Sequence, residues 1–563
     1  MAATAASVLD TRREQMFPTL TDAEIGRLRR FGEVRFHAAG EALARVGEPG
    51  LGLSLILAGA VEVIQGSERG RHDHIVTHRR GGFMGELAQL SGRPSLVEAR
   101  ALEPVEALVV PPERLRALLV GEAELGERIM RALILRRVGL LETGGGGPII
   151  VGRADDGNVL RLDNFLSRNG HPHIRLDPES DPCARTLVER FEVRPDELPI
   201  VLCPGGELLR NPAEAVLARC IGLVSALDPD RLYDLVVVGA GPAGLAASVY
   251  AASEGLSVLA LDCRAFGGQA GASARIENFL GFPTGISGGA LMGRAYTQAQ
   301  KFGVEMAIPD EAVSVEPGEG AAPHRVSLAN GERVRARALL IATGARYRRL
   351  DVPGIEAFED SSVHYWASPL EARLCAGQEV TLVGGGNSAG QAAVFLAGHA
   401  ARLTLLARRP LEATMSRYLV ERIAGLANVE VRSGAEIVAA EGEGGRMEAI
   451  RWRDRKTGEE TRRAACQLFL FIGADPNTDW LAGAGIALDS GGFIRTGSDA
   501  GAGRRPLETS RRGIFAAGDV RCGSVKRVAA AAGDGAQAVS SIHGFLAEAG
   551  DLASSPMAVR ASA

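Results

Sequence analysis

Leu235-Val236-Val237-Val238-Gly239-Ala240-Gly241-Pro242-Ala243-Gly244 decides the fold of this 563-residue chain, and Val380-Thr381-Leu382-Val383-Gly384-Gly385-Gly386-Asn387-Ser388-Ala389 repeats its logic. In each stretch four residues able to fill a buried strand run into a glycine turn, and small residues then open a helix. A turn without side chains lets backbone N–H groups approach a pyrophosphate, and the positive end of the helix stabilises the charge. One such stretch is weak evidence. Two of them, 145 residues apart, imply two dinucleotides held by one polypeptide.

Working outward, the first turn is followed by the strand pattern of residues 257–261 and by Asp262, 18 residues after Gly244. An acid there suits a ribose diol, the plainer alternative being a surface acid at a strand end. Gly267-Gly268-Gln269 and Glu277-Asn278 come next. The run Leu339-Leu340-Ile341-Ala342-Thr343-Gly344 reads as a strand ending at a cofactor edge. Gly513-Ile514-Phe515-Ala516-Ala517-Gly518-Asp519 reads as another strand that delivers a carboxylate. The economical reading is a flavin and a nicotinamide nucleotide, placed so that hydride passes between them. After the second turn, residues 403–406 form the next strand and end at Ala407-Arg408-Arg409. Arginines at that position suit a 2′-phosphate, whereas a 2′-hydroxyl is usually met by an acid. A solvated strand-end pair is the alternative.

These five motifs, in this order, resemble the low-molecular-weight, bacterial-type thioredoxin reductase group of flavoproteins. The resemblance covers residues 232–546 and implies a fold of two Rossmann-like dinucleotide-binding domains, one inserted into the other. FAD is expected on residues 232–350 and 480–546, NADPH on residues 354–477, and residues 547–563 as a tail. The resemblance assigns FAD to Gly239, Gly241, Pro242, Ala243, Gly244, Asp262, Gly267, Gly268, Gln269, Asn278, Thr343, Gly344, Gly518, Asp519, Arg527, Val528 and Ala529. It assigns NADPH to Gly384, Gly386, Asn387, Ser388, Ala389, Arg408 and Arg409. The group's redox dithiol would fall at Ala367 and Leu370, and neither residue supplies a thiolate. Cys375 is a lone thiol, read as a small packing residue. Cys263 and Cys522 lie near the flavin motifs. The group's Arg-Gln-Ala before the last helix is replaced by Lys526-Arg527-Val528-Ala529.

Upstream, residues 31–119 have the glycine-punctuated alternation of a β-roll. Gly82-Phe83-Met84-Gly85-Glu86-Leu87-Ala88-Gln89-Leu90-Ser91-Gly92-Arg93-Pro94-Ser95 resembles the signature of a cyclic nucleotide-binding domain, expected over residues 1–125. That resemblance gives Glu86 the ribose and makes a cyclic nucleotide a candidate ligand. It also expects an arginine for the cyclic phosphate where Ser95 stands, a loss on the order of 1.5–3 kcal/mol. A helix and a Gly-rich linker are expected over 126–148. Residues 149–226 read as βαβαββα, which resembles a thioredoxin fold, with Leu198-Pro199 at the position of its cis-proline. The dithiol of that fold is missing at Arg153-Ala154-Asp155-Asp156. The module is therefore read as a docking or packing unit.

Composition sets the outer limits. Hydrophobic residues make up 46% and charged residues 23%, with a net charge of −5, so nothing points to nucleic acid or to an anionic membrane. Residues 1–10 lack a leader pattern and no window reaches about 18 apolar residues, so a cytoplasmic protein is expected. The seven cysteines contain no CxxC, which argues against a disulfide framework or a cysteine zinc site. The expected function is an NADPH-dependent FAD oxidoreductase that passes electrons to an external acceptor: a thioredoxin-like protein, ferredoxin, a quinone or oxygen. Two alternatives stay open, a disulfide reductase using other cysteines such as Cys375, and a cyclic-nucleotide or redox sensor. A homodimer is implied by resemblance alone.

Overall fold

Alternation builds the first layer. In the strand Leu53–Ala58, Leu53, Leu55 and Leu57 turn to a core shared with helices, while Ile56 turns into the roll. The structure is a computed structural model and describes residues 12–66, 72–85, 94–143, 147–204, 206–224, 226–320, 322–359, 361–367, 369–443 and 446–554. It divides into two units. The first holds residues up to Val238, with Ala247–Phe266 and Arg294–Leu339; the second holds Gly239–Ala246, Gly267–Gly293 and Leu340–Ala563.

The first unit opens with a β-roll of two four-stranded sheets. One runs Glu33–His37, Val105–Val110, Leu53–Ala58, Phe83–Met84; the other runs Ala42–Ala44, Glu98–Ala101, Val61–Gly66, His72–His78. The helix Ala123–Thr143 lays Leu125, Ile129, Ala132 and Leu133 on the outer core, a spacing of one helical face. It takes up most of the stretch expected as helix and linker.

The next module forms a four-stranded sheet in the order Ile174–Leu176, Ile149–Val151, Ile200–Leu202, Leu208–Arg210, with one parallel and two antiparallel pairings. The βαβαββα order is present, and the Leu198–Pro199 peptide is cis. Asp156 caps the helix Gly157–Arg168 by accepting from Asn158 and Val159 N–H, so the loop that lacks a dithiol serves to start a helix. One expectation fails here. Cys203 and Cys220 are disulfide-bonded, with Cα atoms 6.5 Å apart. The hairpin and the helix Glu214–Cys220 fold back to bring together residues 17 apart in sequence, and no CxxC spacing signals that. The module is tied to the rest of its unit by Arg219 Nη2–Asp310 Oδ1 at 3.0 Å and by Asn169 Nδ2 donating to Arg264 O.

The remaining sheet of the first unit runs Glu305–Ala307, Val258–Leu261, Leu232–Val238, Arg333–Ile341, His324–Leu328, Ala312–Glu316, and its first three strands are parallel. The last two residues of Arg333–Ile341 already belong to the second unit.

In the second unit a five-stranded parallel sheet is ordered Val363–His364, Gln467–Leu470, Glu379–Val383, Arg402–Ala407, Val429–Ser433. Both faces are covered, as parallel sheets require. Val380, Leu382, Leu403 and Leu405 enter one core; Val383, Leu406, Leu468 and Leu470 enter the other, beneath the antiparallel sheet of Ala435–Glu443, Arg446–Asp454 and Glu460–Ala464. The last helix, Val528–Ser554, continues into the stretch expected to be a tail; Arg505 and Arg512 both pair with Glu548 on it.

Candidate functional site: two glycine turns for two nucleotides

Gly239 has φ +111, and a Cβ there would stand 2.2 Å from Ala342 O, so the turn excludes any side chain. Pro242 opens the helix Pro242–Ser253, where its missing N–H costs nothing. Gly267 N–H donates to Ala240 O at 2.7 Å, and Gly268 comes so near that a Cβ on it would lie 3.2 Å from Gly241 Cα. Gln269 Nε2 donates to Ala345 O. Gly518 has φ +75, and a Cβ on it would meet Ala243 Cβ at 3.0 Å; Ala517 N–H donates to Ile341 O. Thus Gly239–Ala243, Gly267–Gln269, Thr343–Gly344 and Gly518–Asp519, far apart in sequence, converge within the second unit. Gly244 is buried in the same helix as Ala243.

Two residues that the sequence reading passed over fix this cluster. Asn477 Nδ2 donates to Thr343 O, Thr343 Oγ1 donates to Asn477 O, and Asn477 N–H donates to Gly344 O. Asp534 accepts from Gly518 N–H and from the Arg521 guanidinium. Its signal was one acid inside the alanine-rich run that opens the last helix. Asp519 is half-buried; burial raises its carboxyl above the usual range, opposed by Lys526. Arg527 is exposed at the start of the last helix, with Val528 and Ala529 its first two residues. Asn278 is exposed on a loop. Asp262 lies in the first unit after Val258–Leu261, and its Oδ1 accepts from Arg264 and Ala265 N–H, capping its own turn.

The second turn uses the same device. Gly384 has φ +155, and a Cβ on it would stand 2.7 Å from Phe471 O. Gly386 caps the helix Asn387–Ala397 without a side chain, while Thr414 Oγ1 donates to Gly385 O and Asn387 Oδ1 accepts from Ser416 N–H. Ser388 is exposed or nearly so at the helix start, and Ala389 is buried in the core below. Val383 pairs with Leu406, so the turn and the end of Arg402–Ala407 lie side by side at the carboxyl edge of the sheet. Arg408 and Arg409 follow at that edge. Both are exposed, and neither makes a hydrogen bond or ion pair among the described residues.

Of the two positions expected for a dithiol, Ala367 is in the core and Leu370 is in the helix Pro369–Leu374. Trp366 Nε1 donates to Glu371 Oε1 and Tyr365 OH donates to Glu359 Oε1 around them. Cys375 is completely buried in that core as a free thiol, pushed up to about 12 by burial and then by Glu371. Cys263 is exposed and Cys522 partly exposed. In the roll, Glu86 and Arg93 lie outside the described residues; Ser95 is buried, its hydroxyl donating to Val97 O.

A parallel sheet with a cation-flanked glycine turn, together with a second glycine turn crossed by three other segments, defines a two-nucleotide oxidoreductase. Residues 233–535, more than half of the chain, match the pyridine nucleotide-disulphide oxidoreductase family, and the chain belongs to it. Residues 34–121 match the cyclic nucleotide-binding domain. The chain is 33% identical over 318 residues to the thioredoxin reductase of Mycolicibacterium smegmatis, covering 56% of this chain and 97% of that protein. It is also 33% identical over 316 residues to an alkyl hydroperoxide reductase of Escherichia coli (strain K12), covering 56% of this chain and only 58% of the relative's length. Among solved structures, T. acidophilum thioredoxin reductase superposes with a TM-score of 0.52 at 29% identity, covering 56% of this chain and 100% of that one.

Proposed function

We propose that the chain is an NADPH-dependent FAD oxidoreductase that passes its electrons to an external acceptor without an internal dithiol. FAD is assigned to residues 232–350 and 480–546 and NADPH to residues 354–477. The tight turns at Gly239 and Gly384, which a Cβ would block, fit a pyrophosphate at each site. When bound, NADPH supplies a hydride and FAD accepts it; the cofactors carry that chemistry. The chain's own part is positioning. Thr414 fixes the Gly385 peptide, Asn477 clamps Thr343 and Gly344, and Asp534 holds the Gly518 turn. Arg408 and Arg409, unpaired among the described residues and exposed, are assigned to the 2′-phosphate. Asp262 and Asp519 are assigned to the ribose and ribityl hydroxyls.

The observation that carries the dithiol-free reading is Ala367 in the core and Leu370 three residues on, with the nearby Cys375 buried and protonated. An anaerobic titration of the purified protein with NADPH tests it. Flavin absorbance is expected to bleach with one equivalent. A second equivalent would reveal a further two-electron centre; its loss in Cys203→Ser would place that centre in the Cys203–Cys220 disulfide and overturn the reading. No bleaching would overturn the nicotinamide assignment. Mixing the reduced protein with thioredoxin disulfide, ferredoxin, a quinone and oxygen in parallel names the acceptor.

A further inference from the structure

Inside the β-roll lies a cavity of about 90 Å³, walled by Leu43, Val63, Ile75, Met84 and Val97. Arg136, on the long helix Ala123–Thr143, closes it. This arginine is only 8% exposed. Its Nε donates to Met16 O at 3.0 Å and its Nη1 to Gly85 O at 2.9 Å, and the guanidinium lies over the Phe83 and Phe17 rings. Nη2 is fully buried and has no partner among the described residues. Among the described residues no carboxylate lines the cavity. His78, the other titratable group on the wall, is lowered to about 3 by burial and then by Arg136, so it is neutral near pH 7. The cavity thus carries one positive charge, one free donor and an apolar wall. A buried charge left without a counter-charge is costly, and an occupant that brings one is favoured accordingly.

We propose that this cavity is a binding site for a small apolar carboxylate, its carboxylate on Arg136 Nη2 and its hydrocarbon against Leu43, Val63, Ile75 and Val97. The inference does not rest on the electron-transfer reading. Size favours a short-chain acid: a dry cavity of roughly 150 Å³ holds benzene, so the guest here has about six heavy atoms or fewer. A cyclic nucleotide is several times larger. The position expected to meet its phosphate is Ser95, whose hydroxyl is engaged with Val97 O. The cation instead enters from the helix side, a placement that the roll's signature segment does not encode.

Calorimetric titration of the full-length protein with sodium butyrate tests this, alongside acetate, octanoate, butyramide, cyclic AMP and cyclic GMP. Butyrate is expected to give saturable heat, acetate and octanoate less, and butyramide none, because it keeps the shape and removes the charge. Arg136→Gln is expected to weaken butyrate by roughly tenfold or more, and Arg136→Lys by less, because lysine keeps the charge and loses the fork. Flavin absorbance and far-ultraviolet circular dichroism show whether each variant folds; if neither does, the butyrate–butyramide contrast in the native protein still decides. Absence of heat with butyrate, equal binding of butyramide, or binding of a cyclic nucleotide that butyrate cannot displace would each overturn the proposal.

Discussion

Arg408 and Arg409 stand at the carboxyl edge of a parallel sheet with nothing to pair with among the described residues, whereas Arg463, on a neighbouring sheet, is engaged with Glu430. Replacing both by Ala is expected to raise KM for NADPH by roughly 10- to 100-fold, the loss of one or two charge-assisted contacts. KM for NADH and kcat with either nucleotide are expected to stay near their original values, because the contact is far from the reacting carbon. Steady-state kinetics with both nucleotides check this. A rise of the same size for NADH would assign the pair to general binding. The residue types were legible in the sequence at both glycine turns, because only glycine tolerates φ +111 where a Cβ would stand 2.2 Å from a carbonyl oxygen. Asn477 and Asp534 were not legible: each acts on a segment distant or separate in the chain, Asn477 on Thr343 and Asp534 on Gly518.

At the level of elements, Asp155 and Asp156 are neighbours with different work. Asp156 accepts two backbone N–H groups at the start of Gly157–Arg168, while Asp155 makes an exposed pair with Arg153. Asp156→Ala is expected to cost about 1 kcal/mol in urea unfolding, and Asp155→Ala to change it by less than about 0.5 kcal/mol. Equal effects would mean that the cap does not hold the module together. The βαβαββα order was readable from alternating strand and helix patterns. The Cys203–Cys220 bond was not, since it depends on where a hairpin sets a helix. The long helix shows the same division. Its apolar face followed from spacing, but Arg136 on that helix reads as an ordinary solvated cation until the roll closes over it.

For the whole molecule, two buried histidines set an acid limit on stability. His324 is lowered to about 4 by burial, and its Nδ1 accepts from Gly318 N–H; His78 is lowered to about 3. Both stay neutral in the fold, while unfolded histidine binds a proton near pH 6.5. The unfolded chain therefore holds more protons below about 6.5, and stability falls as pH drops from there toward about 4. Each group adds a slope of up to about 1.4 kcal/mol per pH unit. Melting between about pH 7 and pH 5 is expected to fall less steeply in His324→Gln than in the native chain; an unchanged slope would show that His324 is not the group being charged. Among the described residues no helix is long and apolar enough to cross a membrane, and no His, Cys, Asp and Glu cluster could hold a metal.

The sequence by itself determined the two nucleotide turns, the roll, the thioredoxin-like strand order and the missing dithiol, because each is written in short-range period, glycine placement or residue type. Tertiary structure decided what long-range burial controls: the disulfide between two cysteines with no motif, the burial of Cys375, the clamps by Asn477 and Asp534, and the guanidinium of Arg136 enclosed with one donor unsatisfied. Local spacing cannot state these, because the free energy of a buried charge or thiol depends on what distant segments bring against it.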